Sequence, residues 1–388
     1  MHILLVADGR SPITHSWLQM LVNQGERISL ISTFPCAPIQ GVTLAAVLPL
    51  AFARYSGSQA GAPSSHKGLI SRVRPLAARL RHILGPWTLL FYTRHYRKIV
   101  SDLHPDLVHA LRIPFEGMLA SATPAGIPLI ISTWGNDFTL HAPASPRMGA
   151  LTRRTLRRTH ALMSDTQRDA RLAQEWGFDP TQPTLVVPGN GGLDVEGMQA
   201  TVAGIIRTGP PQVIDPRGLR SYVRSDVFFR AIPLVLAQQP EVRFVCTSMQ
   251  GQKEALDWVE KLGIQKNVSL LPLLSQADLW CEFARSTISV SLSTHDGTPN
   301  TLLEAMTLGC LPICGDLDSI REWITPGENG LLVPADDPAV LAKTILQGLD
   351  DTSLRDSAAK MNRKIIMERA SLPATSAQVI DFYRKVTQ

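Results

Sequence analysis

The sequence has no apolar run of the roughly 18 residues that a membrane-spanning helix needs. The nearest stretch, GVTLAAVLPLAFA at 41–53, is shorter and carries Pro49. The opening run MHILLVAD has neither a basic segment before it nor a cleavage site, so it is typical of a buried first strand and not of a secretory signal. We therefore expect the protein to be made and kept in the cytoplasm.

Cysteine is also scarce, and the five residues are scattered at 36, 246, 281, 310 and 314. An odd number without paired spacings argues against a disulfide framework. Cys310 and Cys314 have no second Cys pair or nearby His to complete a tetrahedral metal site. The thiols are typical of small core residues in a reducing compartment. The sequence thus predicts no metal and no resident cofactor.

Charge is unevenly distributed along the 388 residues. Positions 1–190 hold 19 Lys or Arg and 10 Asp or Glu, which gives a net charge of +9. Positions 191–388 hold 19 Lys or Arg and 23 Asp or Glu, which gives a net charge of −4. The basic half would suit nucleic acid by charge alone. No recognition motif or stacking platform accompanies that charge, so we expect no nucleic-acid partner.

Short apolar runs of strand length alternate with segments of helical length. The first half contains HILLVA, RISLIS, DLVHA, PLIIS, ALMSD and TLVVP, with helical segments at 13–24, 114–122 and 166–176. The second half contains RFVCTS, VSLLP, ISVSLS, LPICGD and GLLVP. This order predicts an α/β protein in which parallel sheets are covered by helices on both faces, twice over.

The chain is longer than one core usually supports, so two domains are expected. The turn-rich passage VVPGNGGLDVEG near the midpoint is the natural junction. We predict a Rossmann-like domain over 1–190 and a second over 191–372, with a last helix at about 373–388 that can pack back onto the first. Because open α/β sheets bind ligands beyond the carboxyl ends of their strands, the two domains are expected to face a central cleft.

The stretch THDGTPNTLLEAMTLGC at 294–310 places two carboxylates eight positions apart. A strand precedes it, HDGTPN forms a turn, and the following helix starts where a ligand would bind, so its amino end favours a phosphate. Glu304 can accept hydrogen bonds from ribose hydroxyls, and Asp296 can hold hydroxyls on the other side of the phosphates. The alternative is that Asp296 only forms the turn and that Glu304 is a solvated helix residue. The amides expected to face the phosphate are those of Asn300, Thr301 and Leu302.

The segment DGTPNTLLEAMTLGCLPICGDLDSIREWITPGENGLLVPADDP resembles the donor-binding region of the retaining family 4 glycosyltransferases, which have the GT-B fold. The shared pattern is an acid, seven residues and a Glu, followed by a later Glu and an N-G turn. The resemblance implies that Asp296 contacts the donor sugar, that Glu304 binds the ribose, and that Gly297 belongs to the phosphate-facing turn. Glu322 matches the later Glu, and positions 329–330 match the N-G turn.

Two positions depart from the family pattern. Asp296 is one methylene shorter than the usual Glu, and Asp318 with Ser319 replaces a common Gly-Gly. Both departures bear on the identity of the donor sugar and on activity.

A weaker match covers IDPRGLRSYVRSDVFFRAI at 214–232. The family usually has an Arg and, about five residues later, a Lys that clamp the diphosphate. Arg217, Arg220 and Arg224 are the candidates, and the spacing best suits Arg220 with Arg224. Arginine offers fixed bidentate donors to phosphate. An exposed basic loop is the alternative.

The first half carries two further matches. In ISTWGNDFTL at 131–140, Trp134 stands in the place of a family His and Asp137 is retained, so Trp134 would stack on a sugar and Asp137 would bond donor or acceptor hydroxyls. Core packing is the alternative for Trp134. The loop ADGRSPITHSW carries Gly9, which permits close approach to donor phosphates. His15 and His109 lie near strand ends as acceptor-side candidates, although a His at such a position is more often structural, and neither is assigned as a general base.

The resemblance implies an enzyme that moves a sugar from a nucleotide-diphosphate sugar to a glycan or lipid-linked acceptor, with retention and without a metal, in cell-surface polysaccharide or glycolipid synthesis. Two alternatives stay open: a nucleotide-sugar epimerase on the same fold, and a catalytically silent nucleotide-sugar-binding subunit. The candidate catalytic residues are Asp296, Arg220, Arg224 and Asp137. The candidate donor-binding residues are Gly9, Arg217, Gly297, Asn300, Thr301, Leu302, Glu304 and Glu322.

Residues 67–98 combine apolar positions at three- and four-residue steps with flanking arginines, interrupted by Pro75 and Pro86. This basic amphipathic pattern predicts peripheral contact with an anionic membrane on the cytoplasmic side, or with a lipid-linked diphosphate. A second basic cluster, RRTLRRTH at 153–160, favours the same contact. A core-facing helix pair with a solvated basic face is the alternative.

Overall fold

The computed structural model describes residues 1–51 and 83–388. The chain forms two compact units, one of residues 1–191 with 375–388 and one of residues 192–374. Within the described residues, no helix is both long and apolar enough to cross a bilayer.

A parallel seven-stranded sheet in the order β3-β2-β1-β4-β5-β6-β7 forms the centre of the first unit. The strands are β1 His2–Ala7, β2 Arg27–Ser32, β3 Val42–Val47, β4 Leu107–Ala110, β5 Leu129–Thr133, β6 Ala161–Ser164 and β7 Thr184–Val186. The runs HILLVA and LVHA are buried throughout, as expected for strands covered on both faces. The sequence predicted six of these strands. The seventh, β3, is a half-buried edge strand inside the apolar stretch 41–53.

Helices cover this sheet. They are α1 Pro12–Asn23, α2 Thr88–Leu103, α3 Met118–Ala120, α4 Pro146–Arg158 and α5 Gln167–Glu175. Ser145 and Thr166 start α4 and α5 by accepting hydrogen bonds from backbone amides three residues ahead. The predicted helices at 13–24 and 166–176 correspond to α1 and α5.

The helix predicted at 114–122 is only partly present. Residues Ile113–Gly117 form a wide turn, because Pro114 has an extended ψ of 122° and Phe115 has a φ of 67°. Regular helix is restricted to the three residues of α3. The prediction was wrong for this segment because Pro114 and Phe115 depart from helical geometry directly after β4.

The second unit is built on a parallel six-stranded sheet in the order β10-β9-β8-β11-β12-β13. The strands are β8 Gln212–Asp215, β9 Arg243–Cys246, β10 Val268–Leu270, β11 Ile288–Ser291, β12 Leu311–Gly315 and β13 Leu331–Val333. The sequence predicted five of them. It missed β8, whose four residues QVID include a polar residue at each end.

Eight helices of the second unit flank this sheet in the described chain. They are α6 Val195–Thr201, α7 Ser225–Leu236, α8 Lys253–Lys261, α9 Gln276–Arg285, α10 Asn300–Thr307, α11 Asp318–Arg321, α12 Pro338–Asp350 and α13 Thr352–Arg369. Phe228 on α7 packs edge-on against Phe229 and against Phe244 on β9 in the core. Such aromatic pairs join helix and sheet by apolar burial with a preferred geometry.

In both sheets the strand order reverses beside the first strand of the unit, between β1 and β4 and between β8 and β11. Loops on the two sides of such a switch point diverge and leave a crevice at the carboxyl edge, where doubly wound sheets bind ligands. The loops after β1, β4 and β5, and those after β8, β11 and β12, are therefore the ones that position a site.

The last helix, α14 Leu372–Thr387, joins the first unit through buried polar contacts. The hydroxyl of Tyr383 lies 2.6 Å from Nδ1 of His109 on β4, and Nε2 of His109 lies 2.8 Å from the hydroxyl of Ser132 on β5. Burial lowers the pKa of His109 to about 3, so the ring is neutral. With both ring nitrogens engaged, His109 holds α14 on the sheet, and the structure does not place it where an acceptor would be contacted.

We expect Tyr383→Phe to destabilise the first unit. The variant leaves a buried ring nitrogen of His109 without its partner, which typically costs about 1–3 kcal/mol. Equilibrium urea unfolding of the full chain measures this change. Tyr92→Phe, at a half-buried position on α2, is the matched control and should change stability by less than about 0.5 kcal/mol. Equal stability of the two variants would show that the His109 contact does not hold the helix.

Candidate active site

An ion pair joins two loops at the carboxyl edge of the second sheet. Nη2 of Arg217, directly after β8, lies 2.6 Å from Oδ2 of Asp296, in the turn after β11. Nη1 of Arg217 donates to the hydroxyl of Thr301 at 3.3 Å. The two paired side chains are only 8% and 14% exposed, respectively. One guanidinium therefore connects the loop after β8 to the start of α10.

Neighbouring groups fix both ends of this link. The amide of Arg217 donates to a carboxylate oxygen of Asp215 at 3.0 Å, and Gly218 adopts a φ of 64°, which turns the chain sharply after the arginine. On the other side, the hydroxyl of Ser319 donates to the carbonyl of Asp296 at 2.8 Å. Ser319, one of the two departures from the family pattern, thus supports the turn that carries the acid.

Helix α10 begins at Asn300, after Pro299, without a side-chain cap. The amides of Asn300 and Thr301 precede the first bond of the helix, so a ligand can accept from them. The amide of Leu302, which was also expected to face the phosphate, donates to the carbonyl of Pro299 at 3.0 Å and tightens the first turn. Gly297 is buried in the turn before the helix.

Glu304 lies in the second turn of α10 and is 3% exposed. Its Oε1 accepts a hydrogen bond from Nε2 of Gln276 and one of 3.4 Å from Nε1 of Trp280, both on α9. Burial raises the pKa of Glu304 from 4.5 to about 7, although the bonds from Trp280 and Gln276 lower it. This carboxylate suits a partner that donates two hydrogen bonds, such as a vicinal diol.

The other two arginines of this region have different partners. Arg220 donates to the carbonyl of Arg217 at 3.1 Å and to the hydroxyl of Tyr222 at 2.9 Å. Arg224 makes two bonds to Asp226, at 2.7 and 2.9 Å, in a partly exposed pair. The spacing argument favoured Arg220 with Arg224, but the structure brings Arg217 to Asp296.

Two later matched positions lie around the following turn. Glu322 directly follows α11, and its carbonyl accepts from Arg369 at 2.9 Å. Nδ2 of the Asn329 side chain donates to the carbonyl of Trp323 at 2.8 Å and to Oδ1 of Asn362 at 2.9 Å. Asn329 therefore holds the turn in place through its own hydrogen bonds.

In the first unit, a second arginine–aspartate pair joins the loops after β4 and β5. Nη2 of Arg112 lies 3.1 Å from Oδ1 of Asp137, and the amides of Ile113 and Trp134 donate to Oδ2 at 3.2 Å each. Asp137 is 1% exposed, and burial raises its pKa. Asp137 therefore connects the two loops through buried hydrogen bonds. Trp134 is half-buried, and the centre of its ring lies 5.2 Å from the guanidinium carbon of Arg112.

The loop after β1 is tightly packed. The amide of Gly9 donates to the hydroxyl of Ser32 at 3.0 Å, and a Cβ at this position would lie 2.5 Å from Sγ of Cys36. Nε2 of His15 lies 2.8 Å from the carbonyl of Gly9. Glycine is required here by packing within the unit, and His15 supports the loop.

A cavity of about 340 Å³ opens at the same edge of the first sheet. The sequence analysis did not identify Glu116, a lining residue that is only 5% exposed. Its position shortly after the end of a strand was the signal that could have identified it. In the described parts of the chain, no group of three or more His, Cys, Asp or Glu is arranged to hold a metal ion. The lining includes Asp8, Arg10, Phe34, Arg112, Glu116 and Trp134.

Comparison with known protein families gives two matches. Residues 10–189 match the glycosyl transferase 4-like domain, and residues 204–365 match the glycosyl transferases group 1. A phosphatidyl-myo-inositol mannosyltransferase of Mycolicibacterium smegmatis is 24% identical over 347 residues, which cover 86% of this chain and 81% of the relative. A GDP-mannose:cellobiosyl-diphosphopolyprenol alpha-mannosyltransferase of Xanthomonas campestris is 26% identical over 242 residues, covering 60% of this chain and 61% of the relative.

Solved structures with the same fold cover nearly the whole chain. Sucrose-phosphate synthase from Thermosynechococcus elongatus aligns over 100% of this chain and 99% of its own, with a TM-score of 0.72 and 14% identity. HepE of Anabaena, solved with UDP and glucose, aligns over 99% of this chain and 100% of its own, with a TM-score of 0.69 and 14% identity. The relationships favour glycosyl transfer over epimerisation. The chain belongs to the group 1, family 4-like glycosyltransferases of the GT-B fold and is a glycosyltransferase.

Proposed function

We propose that this glycosyltransferase moves a sugar from a nucleoside diphosphate sugar to a glycan or lipid-linked acceptor, with retention at the anomeric carbon. The observation that supports this most strongly is the edge of the second sheet, which gathers a cation, free helix amides and a buried carboxylate. Arg217 and the start of α10 suit a diphosphate, and Glu304 suits the attached ribose. The Xanthomonas relative is named for GDP-mannose and HepE was solved with UDP, which supports a nucleotide sugar as donor.

In the proposed reaction, the bond between the anomeric carbon and the diphosphate oxygen breaks, and the acceptor oxygen forms the new bond to that carbon. The acceptor proton passes to the departing diphosphate, so the products are the glycosylated acceptor and a nucleoside diphosphate. Retention follows when the acceptor attacks from the face that the diphosphate leaves, as the family resemblance implies.

Negative charge grows on the diphosphate as its bond breaks. Donors that are already oriented toward this charge lower the barrier, because they need no reorganisation during the reaction. The guanidinium of Arg217 and the amides of Asn300 and Thr301 are such donors. We propose that they serve in place of a resident metal, with Asp296 holding both Arg217 and the donor sugar.

Arg217→Lys should lower kcat/KM for the nucleotide sugar by about 100-fold, since lysine keeps the charge but loses the fork that bonds Asp296 and the diphosphate. Release of nucleoside diphosphate from a panel of UDP-, GDP- and ADP-sugars measures the rate. Arg224→Lys, at a partly exposed arginine bonded to Asp226, is the matched control and should keep more than about half of the activity. A larger loss in the control than in Arg217→Lys would contradict the assignment.

Glu304→Gln should stabilise the chain while abolishing nucleotide binding. Burial raises the pKa of Glu304 from 4.5 to about 7, so the folded state retains a proton that the unfolded state has already released. Folding therefore loses stability as the pH rises from 4.5 to about 7, by up to about 3 kcal/mol, and a neutral amide removes this loss. The affinity of the unmodified chain for a nucleoside diphosphate should rise between about pH 6 and 8, because Glu304 ionises in this range and ribose hydroxyls donate to its ionised form.

Thermal unfolding at pH 8 checks this prediction, with and without UDP, GDP or ADP. The unmodified chain should gain stability from at least one of these nucleotides. Glu304→Gln should unfold at a higher temperature than the unmodified chain without nucleotide and show no nucleotide-induced shift. Glu260→Gln, at an exposed position on α8, should behave like the unmodified chain. An equal nucleotide shift in Glu304→Gln would refute the ribose assignment.

We also propose peripheral contact with an anionic membrane through residues 83–98, for which the exposed side chains are the support. Ile83, Trp87, Leu90 and Phe91 are 53%, 50%, 63% and 81% exposed, and no acidic residue occurs in this range. The guanidinium of Arg147 lies 3.6 Å over the ring of Trp87 and extends the basic surface. Apolar side chains that insert among headgroups and cations that attract anionic lipid act together in such contacts.

The remaining parts of the predicted membrane surface contribute less to this proposal. Residues 67–82 lie outside the described residues. In the 153–160 cluster, Arg153 stacks on Trp176 at 4.5 Å, and Arg158 donates to the carbonyls of Thr123 and Pro124 at 2.9 Å each. These two arginines are therefore engaged within the unit.

Replacing Leu90 and Phe91 by Ser should weaken vesicle binding at least about tenfold, since each side chain contributes about 1.5–3 kcal/mol when fully buried. Sedimentation with vesicles of phosphatidylcholine that also contain anionic phosphatidylglycerol measures binding. Ile206→Ser, at a position 75% exposed in the second unit, is the matched control and should bind like the unmodified chain. Undiminished binding of the double variant, or none by the unmodified chain, would rule out this surface.

A further inference from the structure

The turn 296–299, between β11 and α10, is held by two side chains of the segment that follows β12. The hydroxyl of Ser319 on α11 donates to the carbonyl of Asp296 at 2.8 Å. Nε1 of Trp323, two residues after the end of α11, donates to the hydroxyl of Thr298 at 2.9 Å. The two acceptors are two residues apart, so the segment after β12 holds the turn at two points.

The bond from Trp323 to Thr298 is buried. The two residues are 5% and 8% exposed, respectively. A buried ring N–H that loses its acceptor is not compensated by water, so the bond resists exchange with solvent. Trp323 also belongs to the apolar cluster that includes Leu302 and Leu303 of α10. The same side chain therefore bonds the turn before α10 and shares a core with the helix itself.

Trp323 is in turn held by contacts that lead to α13. Its carbonyl accepts from Nδ2 of Asn329 at 2.8 Å, and the two buried side chains of Asn329 and Asn362 are joined by a bond of 2.9 Å. The guanidinium carbon of Arg369, also on α13, lies 4.3 Å from the centre of the Trp323 ring. Arg369 donates as well to the carbonyl of Glu322 at 2.9 Å. A continuous set of contacts thus runs from α13 through Trp323 to the turn.

Thr298 lies between the acid and the free amides of the proposed donor site. Pro299, whose ring restricts φ, follows it, and α10 begins at Asn300. A displacement of Thr298 therefore moves Asp296 on one side and the amides of Asn300 and Thr301 on the other. A misplacement of about 1 Å caused by a residue away from the chemistry can lower the rate about 100-fold.

We infer that Trp323 is a positioning residue of the proposed donor site. By bonding Thr298, it holds the turn 296–299 and the start of α10 in the geometry that a diphosphate requires. The inference rests on the proposed function, because the diphosphate is the group that we propose binds there. A residue that served stability alone would change the unfolding temperature and leave the nucleotide affinity of the folded chain unchanged.

Isothermal titration calorimetry with UDP, GDP and ADP, below the unfolding temperature of every variant, measures that affinity on the full chain. Thr298→Val removes the acceptor hydroxyl with little change in size and should weaken binding of the preferred nucleotide at least about tenfold. Thr298→Ser keeps the hydroxyl and should bind within about threefold of the unmodified chain. Thr307→Val is the matched control and should bind like the unmodified chain, because Thr307 is also 8% exposed but bonds the carbonyl of Leu303 within α10.

The other end of the bond gives a second test. Trp323→Phe keeps an aromatic ring, removes the ring N–H and should also weaken nucleotide binding at least about tenfold. Trp258→Phe, at a half-buried tryptophan on α8, is its matched control and should keep the affinity. Thr298→Val combined with Trp323→Phe should lose less than the product of the two single losses, because both changes remove the same bond.

The outcomes separate this inference from the proposed function. Nucleotide binding that is undiminished in Thr298→Val, losses that multiply in the combined variant, or a loss in Thr298→Ser as large as that in Thr298→Val would overturn the inference alone. Absence of nucleotide binding by the unmodified chain would overturn the proposed function and the inference with it. If Thr298→Val does not fold, Trp323→Phe decides: an affinity equal to that of Trp258→Phe would overturn the inference.

Discussion

The ion pair between Arg217 and Asp296 is the contact on which the proposed donor site depends. Both side chains are largely buried, so removing either one leaves a charge that neither water nor a partner compensates fully. The same guanidinium bonds Thr301 and so fixes the start of α10 relative to the loop after β8. A charged pair at a sheet edge thereby fixes the two loops between which we propose that the diphosphate binds.

The first unit repeats this device with a different outcome. Arg112 and Asp137 also connect two neighbouring loops beyond the strand ends, because both sheets have the same order at their switch points. Asp137 accepts from two backbone amides as well and is 1% exposed, whereas the side chain of Asp296 is 14% exposed. The first aspartate therefore organises its loops, and the second remains within reach of a ligand. The two pairs therefore differ in the burial of the aspartate and in the backbone donors that it binds.

The sequence predicted most of the fold because buried parallel strands appear as continuous apolar runs. It missed β3, whose run resembled a single apolar stretch, and β8, which is short and polar at both ends. In the site, Asp296 and Glu304 belong to one turn and the helix that follows it, so their relative positions can be predicted from the sequence. The choice of Arg217 over Arg224 depends on the turn at Gly218, and the bond from Thr33 to Glu116 depends on a turn in which Phe115 has a φ of 67°. Neither follows from spacing.

The partners of Glu304 illustrate the same limit. Gln276 and Trp280 reach it from another helix, so only the fold brings these side chains together. Their bonds satisfy the buried carboxylate, and we propose that a ribose diol replaces them when the nucleotide binds. A crystal structure with bound UDP or GDP tests this account most directly. It should show diphosphate oxygens within about 3.2 Å of Arg217 or of the amides of Asn300 and Thr301, and ribose hydroxyls on Glu304. A nucleotide bound elsewhere, with Glu304 still bonded to Gln276, would contradict the account.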